Sequence, residues 1–237
     1  MYCYAEFMIR FTGHKGEKWG QFLDIKTFNL NQIKPQKYNG KRILLSSVTD
    51  PYTPLEKKYQ NTRKILERLI GTNAEVSILT KSKLVVRDID LFQQFTNIAV
   101  GISISTLDEN FARKIERAAS TPLERLEALR KISEAGIQTY TFISPFFPEI
   151  TDFKAIVEEA VDYTNYFMFE NLNFRPHNIP RIMRMIKENY PKLITKYKEF
   201  QRDPSLWDII QVEIENYCEK RNLTYSIEFH HGGFSKS

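Results

Sequence analysis

From about residue 42 onward, short apolar and β-branched runs alternate with longer stretches of helical period, the pattern of a parallel sheet with crossover helices. The predicted strands are Arg42–Val48 (RILLSSV), Glu75–Thr80 (EVSILT), Ile98–Ser105 (IAVGISIS), Gln138–Ser144 and Tyr166–Asn173. The third is apolar enough to be covered on both faces. Thr53-Pro54-Leu55-Glu56 combines a capping Thr, a Pro in the first turn and a Glu three residues on, which predicts a helix to about Leu69, closed by Gly71. Thr121-Pro122-Leu123-Glu124 repeats the signal, with Leu126, Leu129 and Ile132 on one face and Gly136 at the end. A short helix is predicted over Asp88–Phe95.

Beyond Pro176 the period becomes helical: about Ile179–Tyr190, Lys192–Phe200 and Leu206–Lys220, then a short strand at Tyr225–His230. These residues, 176–237, read as a helical C-terminal extension packed on the same domain as 1–175. The first 40 residues are the least regular. Arg10–Gly20 carries three of the chain's nine glycines and reads as an ordered loop. On periodicity alone the fold is α/β, either a barrel or a doubly wound sheet.

Composition narrows this modestly. With 237 residues, 42% hydrophobic and 27% charged, the chain can bury one substantial core. No apolar run approaches the ~18 residues of a membrane span, and no basic, then apolar, leader opens it, so the reading is a cytoplasmic protein with no membrane partner. Two cysteines, Cys3 and Cys218, are too few for a disulfide framework. The net charge of +5 suits a nucleic-acid partner, or only a solvated surface.

In parallel β/α barrels the segments after each strand converge at one end. Here they carry Thr49-Asp50-Pro51-Tyr52, Lys81-Ser82, Ser103 and Ser105, Ser144-Pro145, and Glu170-Asn171 with Asn173. Hydroxyls, one lysine and acidic or amide groups suit a polar, charged small molecule. A lysine at the mouth of a buried strand needs an anionic neighbour or ligand, unless it simply faces solvent. Thr49-Asp50-Pro51 also has the composition of a plain turn. No Ser-His-Asp order, Walker-type glycine loop or zinc spacing occurs. His230-His231 makes a poor metal pair, because adjacent strand residues point to opposite faces.

Five ordered segments, Tyr2-Cys3-Tyr4-Ala5, Arg10–Gly16 (RFTGHKG), Ser46–Tyr52 (SSVTDPY), Ile78–Ser82 (ILTKS) and Val100–Ser105 (VGISIS), resemble the radical S-adenosylmethionine enzymes of the spore-photoproduct-lyase-like branch. The resemblance implies a partial (β/α)6 TIM-like barrel with the helical C-terminal cap read above. It implies a [4Fe–4S] cluster on a C-x-x-x-C-x-x-C motif, with S-adenosylmethionine on the open iron. It also implies an external electron donor such as flavodoxin or ferredoxin. Cys3 matches the third cysteine of that motif as the metal ligand; the other two would precede Met1, so the chain as it stands is expected to be inactive. For the cofactor the resemblance implies Lys81 and Ser103 at the methionine carboxylate, Thr49 and Asp50 near the amino end, and Tyr4 and Ser105 beside them. No catalytic residue is assigned. Spore photoproduct lyase itself carries a hydrogen-donating cysteine on the first-strand loop; here that loop reads Ser46-Ser47-Val48-Thr49, so the substrate is open. Two other classes stay in view: a barrel that binds S-adenosylmethionine or a nucleoside without chemistry, and a basic nucleic-acid-binding protein.

Overall fold

The computed structural model describes residues 2–14, 16–45 and 48–229, with the side chain of Tyr4 outside the description. His230 and His231 also lie outside it, as do Ser46 and Ser47. Six parallel strands form one open sheet in sequential order: β1 (Arg42–Leu45), β2 (Glu75–Thr80), β3 (Ile98–Ser103), β4 (Gln138–Phe146), β5 (Tyr166–Asn171) and β6 (Tyr225–Ile227). With helices around it, this is an α/β partial barrel. The chain's short C-terminal strand is therefore part of the sheet, pairing Phe167 with Tyr225 and Phe169 with Ile227.

Helices α1 (Glu56–Tyr59), α2 (Asn61–Leu69) and α3 (Ile89–Phe92) follow the first two strands. Helices α4 (Glu109–Ile115) and α5 (Pro122–Glu134) follow β3, and α6 (Phe153–Ala160) links β4 to β5. Three more, α7 (Ile179–Asn189), α8 (Ile194–Arg202) and α9 (Leu206–Lys220), lead to β6. The predicted capping box at Thr121 is present: its hydroxyl accepts from Glu124 N and Glu124 Oε2 accepts from Thr121 N.

The predicted helix from Thr53 to Leu69 is instead two helices, broken at Gln60 in the left-handed region (φ 54°). Glu56 explains the difference. Rather than closing a capping box with Thr53, its buried carboxylate accepts from Arg87 Nη2 (3.0 Å) and from Arg63 N (3.2 Å), in the first turn of α2. Over Asp88–Phe95 only Ile89–Phe92 is α-helical, preceded by a 3-10 stretch at Lys83–Asp88. Helices α4 and α6 are additions to the sequence reading; Asp108 and Asp152 cap them.

Side-chain alternation divides the sheet into two faces. Val76, Ile78, Val100, Ile102, Ile143, Phe167 and Phe169 point to the helices and are buried in the core. The opposite, inner face carries Ser77 and Leu79 on β2, Ala99 and Gly101 on β3, Tyr140 and Phe142 on β4, and Tyr166 and Met168 on β5, all lining one cavity apart from Gly101. Tyr140 lies across this face: its hydroxyl reaches Ser77 Oγ and Ile78 O at 3.1 Å each, and its ring stacks on Tyr166 at 5.0 Å. Gly101 makes this possible, since a Cβ there would sit 2.1 Å from the ring of Tyr140. The Gly101→Ala variant is expected to displace that ring and lose about 1–3 kcal/mol to overpacking. Urea unfolding measures this, and a variant as stable as the parent would show the ring free to move.

Candidate functional site

At the C-terminal ends of the strands the first chain segment is tied across the sheet. A 3-10 helix, Tyr4–Phe11, begins beside Cys3, which is half-buried. Asn178, fully buried ahead of α7, donates from Nδ2 to Tyr2 O (3.0 Å) and Asn173 O (2.9 Å), while His177 Nε2 lies 3.3 Å from Cys3 O. Arg181 pairs with Glu6. On the other side, Tyr2 donates its hydroxyl to Glu116, and its ring meets Phe147 edge-on at 6.0 Å. The backbone of Cys3 is thereby fixed from both β3 and β5.

Glu116 is the hub. Its buried carboxylate accepts from Arg125 Nη2 (2.6 Å) and from Tyr2, and Lys81 Nζ stands 3.7 Å away. Arg125 is itself 2% exposed; its Nε donates to Ser120 O (2.8 Å) and its Nη1 to Ser103 O (2.9 Å). Burial alone would raise the Glu116 pKa, but Lys81 and Arg125 outweigh it and hold the carboxyl below its ordinary value. Burial first, and then the Glu116 charge, push the Tyr2 phenol well above its ordinary value, so it remains a donor.

The residues singled out from the sequence fall around this hub unequally. Lys81, first after β2, is 27% exposed and meets only a carboxylate that Arg125 and Tyr2 already satisfy. Asp50 is engaged: it accepts from Tyr52 N (2.8 Å), Thr80 Oγ1 (2.6 Å) and Lys81 N (2.7 Å), tying the loop after β1 to the start of the Lys81 segment. Thr49 beside it is exposed. Ser103 is buried and donates to Ser144 O at 3.1 Å. Ser105 is 1% exposed and its Oγ has no hydrogen-bond partner among the described residues. Tyr4 lies in the 3-10 helix beside Cys3.

Three participants escape the sequence reading. Glu116 follows α4, a helix too short to announce itself, and Tyr2 served only as the flank of Cys3. Arg125 did leave a signal: with Leu129 and Ile132 it falls at i, i+4 and i+7, on the buried face of α5. A charged side chain on that face needs a buried partner.

A family model described as the Radical SAM superfamily matches residues 2–160. The chain belongs to this superfamily. An uncharacterized protein of Methanocaldococcus jannaschii is 38% identical over 204 residues, 85% of this chain and 76% of the relative. One of Acidianus two-tailed virus is 37% identical over 135 residues, 55% of this chain and 44% of its own. Among solved structures, spore photoproduct lyase complexed with dinucleoside spore photoproduct aligns with a TM-score of 0.57 at 20% identity, over 81% of this chain. Streptococcus suis SuiB bound to S-adenosylmethionine aligns with a TM-score of 0.54 at 14% identity, over 80%. The chain spans 57% of that lyase chain and 39% of SuiB, so these two establish the shared fold. Among the described residues no helix is long and apolar enough to cross a membrane.

Proposed function

We propose that the C-terminal mouth of the sheet binds S-adenosylmethionine for radical chemistry, with Lys81 holding the methionine carboxylate. The observation that carries this is the state of Lys81: a partly exposed ammonium on the inner edge of β2, facing a carboxylate whose own needs Arg125 and Tyr2 already meet. Such a cation has donors left for a second anion, and a carboxylate suits them. Ser103, buried on the neighbouring strand β3 with its hydroxyl donated to Ser144 O, would shape the wall beside it. Asp50 acts on Lys81 by fixing its backbone N–H. Thr49, exposed beside Asp50, offers a hydroxyl to the amino end, and the segments of Tyr4 and Ser105 border the same mouth.

The donor set fits S-adenosylmethionine. For the iron–sulfur cluster the described residues offer one thiolate, Cys3, and no group of three or more His, Cys, Asp or Glu side chains among them is arranged to hold a metal ion. The three-cysteine cluster of the superfamily is therefore not completed by these residues. S-adenosylmethionine bound here would supply the 5′-deoxyadenosyl group for hydrogen abstraction only on one-electron reduction through a cluster whose remaining ligands come from outside these residues; the chain's own part would be to orient the cofactor and exclude water. Electrons would come from an external flavodoxin or ferredoxin.

Binding tests the assignment. Lys81→Ala removes a charge-assisted hydrogen bond worth about 1.5–3 kcal/mol, so S-adenosylmethionine affinity by calorimetry is expected to fall about 10- to 100-fold. Ser103→Ala should weaken it less. Lys83→Ala, whose ammonium is 59% exposed and paired with Glu124, should leave it unchanged. Equal effects from Lys81→Ala and Lys83→Ala would remove Lys81 from the site.

A further inference from the structure

The inner face of the sheet borders an open cavity of about 1140 Å³, polar at the N-terminal strand ends, where Arg42, Glu75 and Gln138 line it, and apolar further up, at Leu79, Phe142 and Met168. Its chemistry changes sharply at the C-terminal end. Two residues beyond Met168 on the same face of β5 stands Glu170, partly buried. Ser144, on β4 where its register with β5 shifts, donates its hydroxyl to Glu170 Oε2 at 2.6 Å.

Glu170, partly buried, differs from the carboxylates that the fold buries. Glu56 meets Arg87, Asp88 meets Arg63 and Arg87, and Glu116 meets Arg125 and Lys81. Among the described residues Glu170 has no ion pair, only the one neutral hydroxyl on one of its two oxygens. A partly buried carboxylate loses part of its solvation, a single hydroxyl on one oxygen restores little of it, and a cation on the free oxygen would restore more. Among the described residues a cation meets those three carboxylates and none meets Glu170. Directly below, the wall is apolar and aromatic, and it suits a body that carries little polarity of its own.

We infer that the inner face is the substrate site and that the substrate is an amine with an apolar or aromatic body: the ammonium on Glu170, the body against Phe142, Met168 and Leu79. This rests on the reading that S-adenosylmethionine occupies the mouth. Lys81 follows β2 and Glu170 lies on β5, with β3 and β4 between those strands, three inter-strand spacings or about 14 Å along the sheet. One end thus serves the anionic carboxylate of the cofactor and the other the cationic group of the substrate, each out of the other's reach.

Three probes of one shape test the inference on the chain as it exists: phenethylamine, its neutral counterpart 2-phenylethanol, and 3-phenylpropionate, titrated by ligand-observed NMR without S-adenosylmethionine. The amine is expected to bind at least about tenfold tighter than the alcohol, as a charge-assisted hydrogen bond gives, with the carboxylate weakest. Glu170→Gln should abolish the difference between amine and alcohol and leave S-adenosylmethionine affinity unchanged. Equal binding of amine and alcohol, or binding of none of the three, overturns the inference. So does a Glu170→Gln variant that keeps the preference for the amine, or one that loses S-adenosylmethionine, because Glu170 would then belong to the cofactor site. The comparison in the unsubstituted chain decides by itself if the variant fails to fold. Since the probes are read without the cofactor, a chain that prefers the amine but binds no S-adenosylmethionine keeps this inference and loses the reading of the mouth.

Discussion

Arg125→Met is expected to lower the unfolding free energy by about 3–5 kcal/mol and to abolish measurable S-adenosylmethionine binding with it. The side chain is 2% exposed and its three hydrogen bonds go to Glu116, Ser103 O and Ser120 O. Methionine fills much of the same space, so the loss is electrostatic. It leaves the Glu116 carboxylate buried without its closest cation and two carbonyls without a donor. Lys81, at 3.7 Å, would then be drawn fully onto Glu116 and withdrawn from the cofactor.

The effect should depend on pH in a defined direction. Glu116 has a depressed pKa in the folded chain, so its contribution is complete above its unfolded value and is lost as pH falls through the folded one. The gap between parent and variant should accordingly narrow on acidification below the ordinary carboxylate range. Guanidinium unfolding at neutral and acidic pH reads both quantities. Adding Glu116→Gln to Arg125→Met should recover part of the stability, because the uncompensated charge is then gone. A double variant no more stable than the single one would show that the lost carbonyl partners, and not the charge, dominate.

What could be read from the sequence follows the range of the interactions. The strands are legible because alternation and β-branched runs are local; Glu75–Thr80 has the same bounds in both readings. The position of Lys81, first past β2, is legible for the same reason. The hub is not local. Tyr2 and Glu116 are 114 residues apart in the chain, and their meeting depends on α4, whose seven residues give too few turns for a periodic signal. Similarly, the strand predicted at Tyr225–His230 is present as Tyr225–Ile227, but its place beside β5, as the sixth strand of the sheet, depends on a pairing about 60 residues away in the chain that no local signal carries. Thr53-Pro54-Leu55-Glu56 shows local reasoning overruled: the same four-residue pattern that caps α5 fails here, because two arginines outside the segment claim the glutamate.

Those arginines belong to a second buried network whose loss is expected to reach the mouth from behind. Asp88, with 0% exposure, accepts from Arg87 Nε and Nη2 (2.7 Å each), Arg63 Nη1 (2.8 Å) and the hydroxyl of Tyr52 (3.1 Å). Tyr52 is also fully buried, and burial followed by the Asp88 charge raises its phenol far above the ordinary value, so it stays a donor. Its own N–H is held by Asp50, and Asp50 holds Thr80 and Lys81. Asp88→Ala removes the acceptor shared by Arg87, Arg63 and the Tyr52 hydroxyl and leaves that hydroxyl buried and unpaired, at a cost of about 3 kcal/mol. If the chain of contacts transmits position, S-adenosylmethionine affinity should fall as well, although Asp88 lies outside the cofactor pocket. Tyr52→Phe separates the two effects. It deletes only the hydroxyl link, so it should cost about 0.5–1.5 kcal/mol of stability while lowering affinity in the same direction as Asp88→Ala. Affinity unchanged in both variants, with stability reduced, would confine Asp88 to holding α1, α2 and the loop after β1 together and leave Lys81 positioned by Asp50 alone.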